Sequence, residues 1–550
     1  MDMKELTIPA KLVFLALASV TLIVTPFFSY DPINVPRFFF LTIFGIASLF
    51  VIVSNLRSIT LSSHRTLLFL TLMFMVWEVL SLFFSRVNLT EGLFGVTGRQ
   101  TGFLTYTSFA ALIIVSSIAA NSNLLTRVAN LLIVCGSVSA FYGLIQVLDL
   151  DPFNWTNPYS PVFGIFGNPN FHASFMGISA TAALAKTLQN SSLRSKILNL
   201  LFVATAVFNI YKSGSQQGYL VLLSGAVIVF YLFISVKFNS GYMTKFYVLI
   251  TTVGFIAVLL DILQKAPWPS VLYKDSVTFR GDFWRAGMNM TIQNPVFGVG
   301  PDGYRDAYRT SRDITTALRP GSDVSTDSAH NVFLDLSSNG GVPLLGIYTV
   351  ILIYALIAAV RIIKKLDTFN FGVTAIIASW VAYLAQSIIS INQIGLAVWG
   401  WILPGLIIGY EINTRAPNAV QFKFKTKSHF SVPASAGAVI GVIIALPLFI
   451  ADTSFRSTIK SGDVLKIESA INQWPQSVIR MTTVARLFRE ANLTDRSVVI
   501  ARDGIRFNPN NYEAWRELIL QPAASQEERD KAFKKMKELD PYNPNLKQIK

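Results

Sequence analysis

The sequence predicts an all-α fold: a polytopic membrane helix bundle of about 12–13 transmembrane helices, a large external loop and a C-terminal helical-repeat domain. Three observations carry this prediction. Only 14% of the 550 residues are charged and 52% are hydrophobic, whereas soluble globular domains carry roughly 25% charged residues. Apolar windows of the ~17–25 residues that span hydrocarbon recur along the chain. Lysine and arginine gather in alternate loops, as the retention of positive segments in the cytoplasm requires.

The windows fall at about 9–28, 36–54, 66–84, 102–120, 124–148, 170–188, 198–211, 217–236, 244–263, 331–360, 371–390, 396–410 and 433–450. The first has only Lys4 and Lys11 ahead of it and no A-x-A-like cleavage site, so it reads as a retained helix, not a signal peptide. With the N-terminus inside, seventeen lysines and arginines fall in cytoplasmic loops, from Lys4 and Lys11 through Arg361, Lys364 and Lys365 to Lys423, Lys425 and Lys427. The short external loops hold four: Arg37, Arg86, Arg99 and Lys212. One missed helix would scramble that alternation, so the bias supports the span count as well as the orientation. The chain divides accordingly into helices 1–9 over residues 1–263, an external loop at 264–329, helices 10–13 over 330–450 and an external tail at 451–550.

The net charge of +15 largely reflects these cytoplasmic loops. No basic run interleaved with aromatics occurs in a soluble segment, which argues against nucleic acid as a partner. The single cysteine, Cys135, excludes intrachain disulfides. No acidic pair suggests a metal–nucleotide site, and no metal or cofactor is expected. In the tail, "QWPQS", "FNPNN" and "YNPNL" set Pro475, Pro509 and Pro544 34 and 35 residues apart. A period near 34 with a helical "NYEAW" resembles tetratricopeptide repeats, which implies a recognition or packing module and a possible protein partner.

Four predicted external segments are polar beside hydrocarbon, where polarity is costly. "FGIFGNPNFHASF" opens the sixth span with Asn170 as candidate N-cap and His172 next to it; a capped helix start with a satisfied histidine is the plainer reading. "YKSGSQQGYL" is a glycine turn carrying Lys212 and Gln216, either an ordinary hairpin turn or an anion cradle. The stretch 276–309 holds Arg280, Arg285, Arg305 and Arg309 with Trp284 and "FGVGPDG". Guanidinium forks suit phosphate, yet nearby aspartates offer ion pairs, the favoured reading for Arg305 and Arg309. Finally, "DSAHNVFLDL" puts His330 and Asn331 before a helical run interrupted by Gly340, Gly341 and Pro343.

Taken in order, "GNPN", the glycine turn, R-x-x-x-W with "NPVFGVG", and "HN-x-F-L" before a glycine break resemble the O-antigen ligase and polymerase family of integral membrane glycosyltransferases. The resemblance implies transfer of a glycan from undecaprenyl diphosphate to an acceptor hydroxyl, on a lipid, polysaccharide or protein, at the external face of a bacterial cytoplasmic membrane. It implies that Arg280, four residues before Trp284, holds the diphosphate and that His330 orients or deprotonates the acceptor. Arg285, Asn331, Asn170 and His172 complete the candidate substrate-binding set. One position departs from the family. Where it has S-R-x-G, this chain has "SQQG" with Gln216 in place of arginine, leaving Lys212 or Arg99 to supply the charge, or a different grip on the donor.

Other readings are a protein O-oligosaccharyltransferase, a flippase for lipid-linked oligosaccharides and a membrane-anchored scaffold. A flippase favours cations through the depth of the bundle and paired internal repeats; here the cations cluster outside. A scaffold needs one span.

Overall fold

The computed structural model describes residues 6–153, 155, 162–238, 240–267, 275–319, 321–415 and 431–547. Lys4, Lys423, Lys425 and Lys427, used above for topology, lie outside the described residues. Those residues form helices and connecting turns with no strand among them. Each of the thirteen apolar windows coincides with one helix, and ten of these are long and apolar enough to cross a membrane. The remaining three, Ile8–Leu22, Phe103–Ala119 and Pro169–Leu188, are shorter or less apolar but pack into the same bundle. This is a polytopic helical membrane protein.

Helix boundaries follow local chemistry. Ile8–Leu22 starts under a Thr7 cap with Pro9 in its first turn. It stops short of the predicted residue 28 because Thr25 precedes Pro26, and a residue before proline is pushed out of the helical region. The windows at 198–211 and 396–410 lengthen to Leu193–Ser213 and Ile394–Arg415. Ile394–Arg415 is the central helix, almost wholly buried, whereas Gly241–Ile262 has no buried residue in its apolar window and packs at the periphery against Gln217–Phe238. Asn34–Ser54 lies close against Ser431–Ser461, because Gly437 and Gly441 sit where a Cβ would come within 2.7 Å of the Cα atoms of Ala47 and Ile43. Small residues four apart let membrane helices approach in this way.

The helix Val332–Lys364 breaks at Gly341, whose φ of 76° and ψ of 177° are non-helical. A Cβ there would lie 2.1 Å from the Val296 carbonyl oxygen. The turn Asn294–Gly300 fills the break. Val299 and Gly300 donate to the carbonyls of Ser338 and Asn339, and Val342 donates to Pro295 at 2.9 Å. Trp77 Nε1 reaches the Gly340 carbonyl at 2.9 Å, and Ser81 Oγ reaches that of Asn339, also at 2.9 Å. Backbone groups freed inside a membrane bundle need such partners.

The segment 264–329, expected as a loop, carries the helices Asp275–Gln293, Tyr304–Ser311 and Ile314–Leu318. Asp275–Gln293 packs against Val332–Lys364. Ser431–Ser461 continues without a break past residue 450, so that Phe455 joins the core of the tail. Beyond it, the pairs Val478–Glu490 with Thr494–Phe507 and Tyr512–Ile519 with Gln526–Leu539 form helical hairpins. Pro475, Pro509 and Pro544 fall in the connections at their ends. The tail and the segment 264–329 meet at one end of the bundle, where Arg309 and Arg312 bond Asp540.

Candidate functional site

His330 sits just ahead of Val332–Lys364, in a turn fixed by its own side chains. Asn331 caps the helix, accepting from Phe333 N at 3.0 Å and Leu334 N at 3.1 Å. Asp335 reaches back to Ala329 N at 2.7 Å, and Ser328 Oγ accepts from His330 N at 3.2 Å. The turn holds His330 at φ 53°, a left-handed conformation uncommon outside glycine, of the kind that collects at functional sites. Phe283 stacks on the imidazole with centroids 5.6 Å apart. Neither ring nitrogen has a hydrogen-bond partner among the described residues. Burial pulls the imidazole pKa down to about 4; Asp327 opposes the shift, and Arg280 and Arg99 reinforce it. The ring is therefore neutral at pH 7 and able to accept a proton.

Arg280 lies on Asp275–Gln293, one turn before Phe283 and so on the same helix face. Its Nη2 contacts Gln217 Oε1 at 3.5 Å, and Gln217 Nε2 donates to Ser174 Oγ at 2.7 Å. No carboxylate pairs with Arg280 among the described residues, and burial lowers its pKa. A desolvated guanidinium without an acid is a site prepared for an external anion.

A cavity of about 850 Å³ opens beside His330, walled by Asn34, Arg99, Asn168, Arg305, Asp327 and Gln393 and by residues of the tail. Arg280 is not among the residues of that wall; its guanidinium reaches Gln217. Arg99 does line the cavity but is not a free clamp. It is buried and donates to the Asp327 carbonyl at 2.7 Å, with Asp302 at 3.6 Å and Asp335 at 4.0 Å. Burial alone would lower its pKa, but these acids raise it above the ordinary value. Asp327 sits between Arg99 and Arg305, at 3.5 and 3.8 Å; burial works against its charge, yet the cations hold its pKa below the usual carboxylate range.

Several expected ligands already have partners within the fold. His172 is fully buried, with Nδ1 at Ser139 Oγ, 3.2 Å, and Nε2 at Asn209 Oδ1, 3.1 Å. Asn331 is the helix cap described above. Arg285 pairs with Asp282 and, at 3.4 Å, with Asp313. Trp284 packs in a small apolar cluster with Met290, Tyr304 and Tyr308. The cap of Pro169–Leu188 is Asn168, not Asn170, whose Oδ1 instead accepts from Ser215 Oγ at 2.7 Å and ties the glycine turn to that helix. Lys212 is exposed, over the Phe208 ring at 5.7 Å. Gln216 is half-buried, and its neighbour Gln217 makes the contact to Arg280. Sequence reasoning missed Gln217, Phe283 and Asp327. The offset from Gln216 is one residue, about 100° of helix rotation, which spacing alone could not resolve.

Fold and site together define a polytopic helical membrane protein with a polar cavity at one end of its bundle and an uncommitted imidazole in the cavity wall. A family model described as O-antigen ligase matches residues 201–349, the stretch that contains Gln217, Arg280 and His330. No curated protein matches the chain. The match supports the O-antigen ligase family and, with it, a membrane glycosyltransferase or ligase role.

Proposed function

We propose that this protein moves a glycan from an undecaprenyl-diphosphate-linked donor to an acceptor hydroxyl at the external face of a bacterial cytoplasmic membrane. The observation that carries the reading is an imidazole with both nitrogens unbonded within electrostatic reach of a half-buried guanidinium with no acid, among the described residues. The outward placement is supported by Arg57, Arg65, Arg194, Lys196, Lys364 and Lys365, which lie in a short linking helix or at helix ends on the opposite side of the bundle.

In this scheme neutral His330 takes the proton of the acceptor hydroxyl as its oxygen bonds the anomeric carbon of the donor sugar. The bond from that carbon to the diphosphate oxygen breaks, and undecaprenyl diphosphate leaves. Arg280 faces the charge on the departing group, and such prepositioned charge is usually the largest single contribution to catalysis. A diphosphate beside the ring raises its proton affinity above that of the free protein. Since the leaving group is already stable, the scheme needs no metal or cofactor. The acceptor is a glycolipid, a growing polysaccharide or a protein hydroxyl.

The test uses full-length protein in proteoliposomes with lipid-linked glycan from cells lacking the protein. His330→Ala should lower kcat by roughly 10²–10⁴-fold, the usual worth of a general base, with donor binding intact. Arg280→Ala should weaken donor binding as well as transfer. Wild-type transfer in either variant removes the role assigned to that residue.

A further inference from the structure

Across the cavity from His330 stands a wall that the membrane bundle does not supply. Thr482, Thr483 and Arg486 on Val478–Glu490, with Asn511, Tyr512 and Glu513 at the start of the next hairpin, line the same 850 Å³ space as Asp327 and His330. This tail is bolted in place. Asn508 Nδ2 bridges Glu91 at 2.9 Å and Asp306 at 2.7 Å, and Asn88 Nδ2 donates to the Phe507 carbonyl at 2.7 Å. Thr97 and Ser477 share a 2.8 Å hydrogen bond, and Trp474 packs edge-on to Phe94 with centroids 5.0 Å apart. A surface so fastened to the rim of the site is not a freely presented partner-binding face.

The chemistry of the wall says what it receives. Its charges are committed: Glu513 to Arg309 at 3.0 Å and Arg516 at 3.2 Å, and Arg486 to Glu517 at 3.2 Å. Asn511 bonds Asp306 at 2.8 Å, and Arg309 covers one face of the Tyr512 ring at 4.2 Å. What stays open is hydroxyl chemistry. Thr483 has no hydrogen-bond partner among the described residues, and Thr482 Oγ1 only donates back to Ile479 at 3.1 Å. Asn34, Asn168 and Gln393 also line the cavity; Asn34 and Gln393 bond each other at 3.3 Å and Asn168 Oδ1 caps its helix, which leaves the Asn168 amide nitrogen open among the described residues. A phosphate would meet no uncommitted cation on the tail's wall, whereas a neutral sugar chain would meet hydroxyls, an amide and an aromatic edge. The volume lies within the ~300–1,000 Å³ of small-molecule sites, enough for a few sugar rings.

We infer that the Thr482–Thr483 wall of the C-terminal domain is a carbohydrate subsite, binding neutral sugar units while the diphosphate stays with Arg280. The inference rests on the glycan-transfer reading above. It makes the domain part of the site's specificity, not an appended scaffold. The sugar units come either from the donor glycan or from the acceptor, and the experiment separates the two.

Thr483→Trp fills the subsite, and Thr483→Val removes only its hydroxyl. Both are assayed as full-length protein in proteoliposomes with the lipid-linked glycan accumulated by cells lacking the protein, intact or trimmed by exoglycosidase to one sugar. Membranes of the same cells supply acceptor. Thr483→Trp should raise a carbohydrate-dependent KM at least 10-fold and Thr483→Val about 3-fold, with KM for the trimmed donor unchanged. A rise for intact donor alone assigns the wall to the donor glycan, and a rise for acceptor alone to the acceptor. Unchanged KM values in both variants, with His330→Ala inactive, overturn the subsite. Full activity in His330→Ala is a separate outcome, which defeats the transfer reading itself.

Discussion

Asp540 is the strongest test of how the tail is held over the site. Its carboxylate is fully buried between two equally buried arginines. Arg312 gives it bonds of 2.8, 2.9 and 3.2 Å, Arg309 adds one of 2.9 Å, and Asn543 another of 3.0 Å. Asp540→Asn keeps the shape and removes the charge. Arg309 then retains Glu513 and the carbonyls of Ser322 and Asp323, and Arg312 only the carbonyls of Ser322 and Val324. Breaking a buried pair from one side costs about 3–5 kcal/mol. At 1.4 kcal/mol per tenfold, this raises the undocked population of the tail roughly 10²- to 10⁴-fold. Hydrogen exchange on the full-length protein in detergent should show the gain at the amides of 312–324 and 540–543. The triple change Arg309→Met, Arg312→Met, Asp540→Leu should restore most of the protection, since an apolar replacement of the whole cluster leaves no orphaned charge. Exchange in Asp540→Asn within about threefold of wild type would refute the reasoning.

Three further outcomes follow from the geometry. Glu91 sits against Asp306 at the same interface; burial and that neighbouring carboxylate push its pKa up to about 8, against the pull of Asn508, the Val478 N–H and Arg305. A raised carboxyl favours the docked state below its unfolded pKa and loses that contribution as pH rises through about 8. Tail protection should therefore fall in wild type as pH rises from the ordinary carboxyl range to about 8, level off above it, and lose that dependence in Glu91→Gln; no difference between the two profiles contradicts this. Gly341→Ala forces a side chain into a glycine-only conformation and against the Val296 carbonyl, a strain of about 1–3 kcal/mol before the clash is counted. Its Tm in detergent should drop, and an unaltered Tm would mean that the break tolerates a Cβ. With His330 lowered to about 4, kcat/KM should stay level from pH 8 down to about 5 and fall only near 4. Arg280→Gln removes a charge that opposes protonation and should move the limb upward, whereas a wild-type limb near 6.5 would show an ordinary solvent-exposed histidine.

The membrane helices were legible because a hydrocarbon-length apolar run has few ways to satisfy its backbone in lipid. The break at Gly341 was legible for a related reason, two glycines and a proline inside such a run. The helices of 264–329 were not. Their residues are mixed in polarity, and Asp275–Gln293 takes its register from packing on Val332–Lys364, a contact distant in sequence. The same distance governs the site. His330 and Arg280 stood out by residue type, but the fates of His172 and Arg285 depend on Ser139, Asn209, Asp282 and Asp313. Of these only Asp282, one helical turn from Arg285, is near in sequence; the fold brings the others in. Arg99 shows the limit most clearly. As a lone cation in an external turn it was a natural anion ligand, yet three acids from two other segments had already claimed it.

The central claim is that His330 and Arg280 serve one reaction on one donor. A double-mutant cycle on glycan transfer measures that directly, with His330→Ala, Arg280→Ala and the double variant compared for kcat in the same proteoliposomes. Groups acting as a unit lose most of their effect together, so the double variant should be no more than a few-fold slower than the slower single. Penalties that multiply in full, or a single variant as fast as wild type, would contradict a shared site.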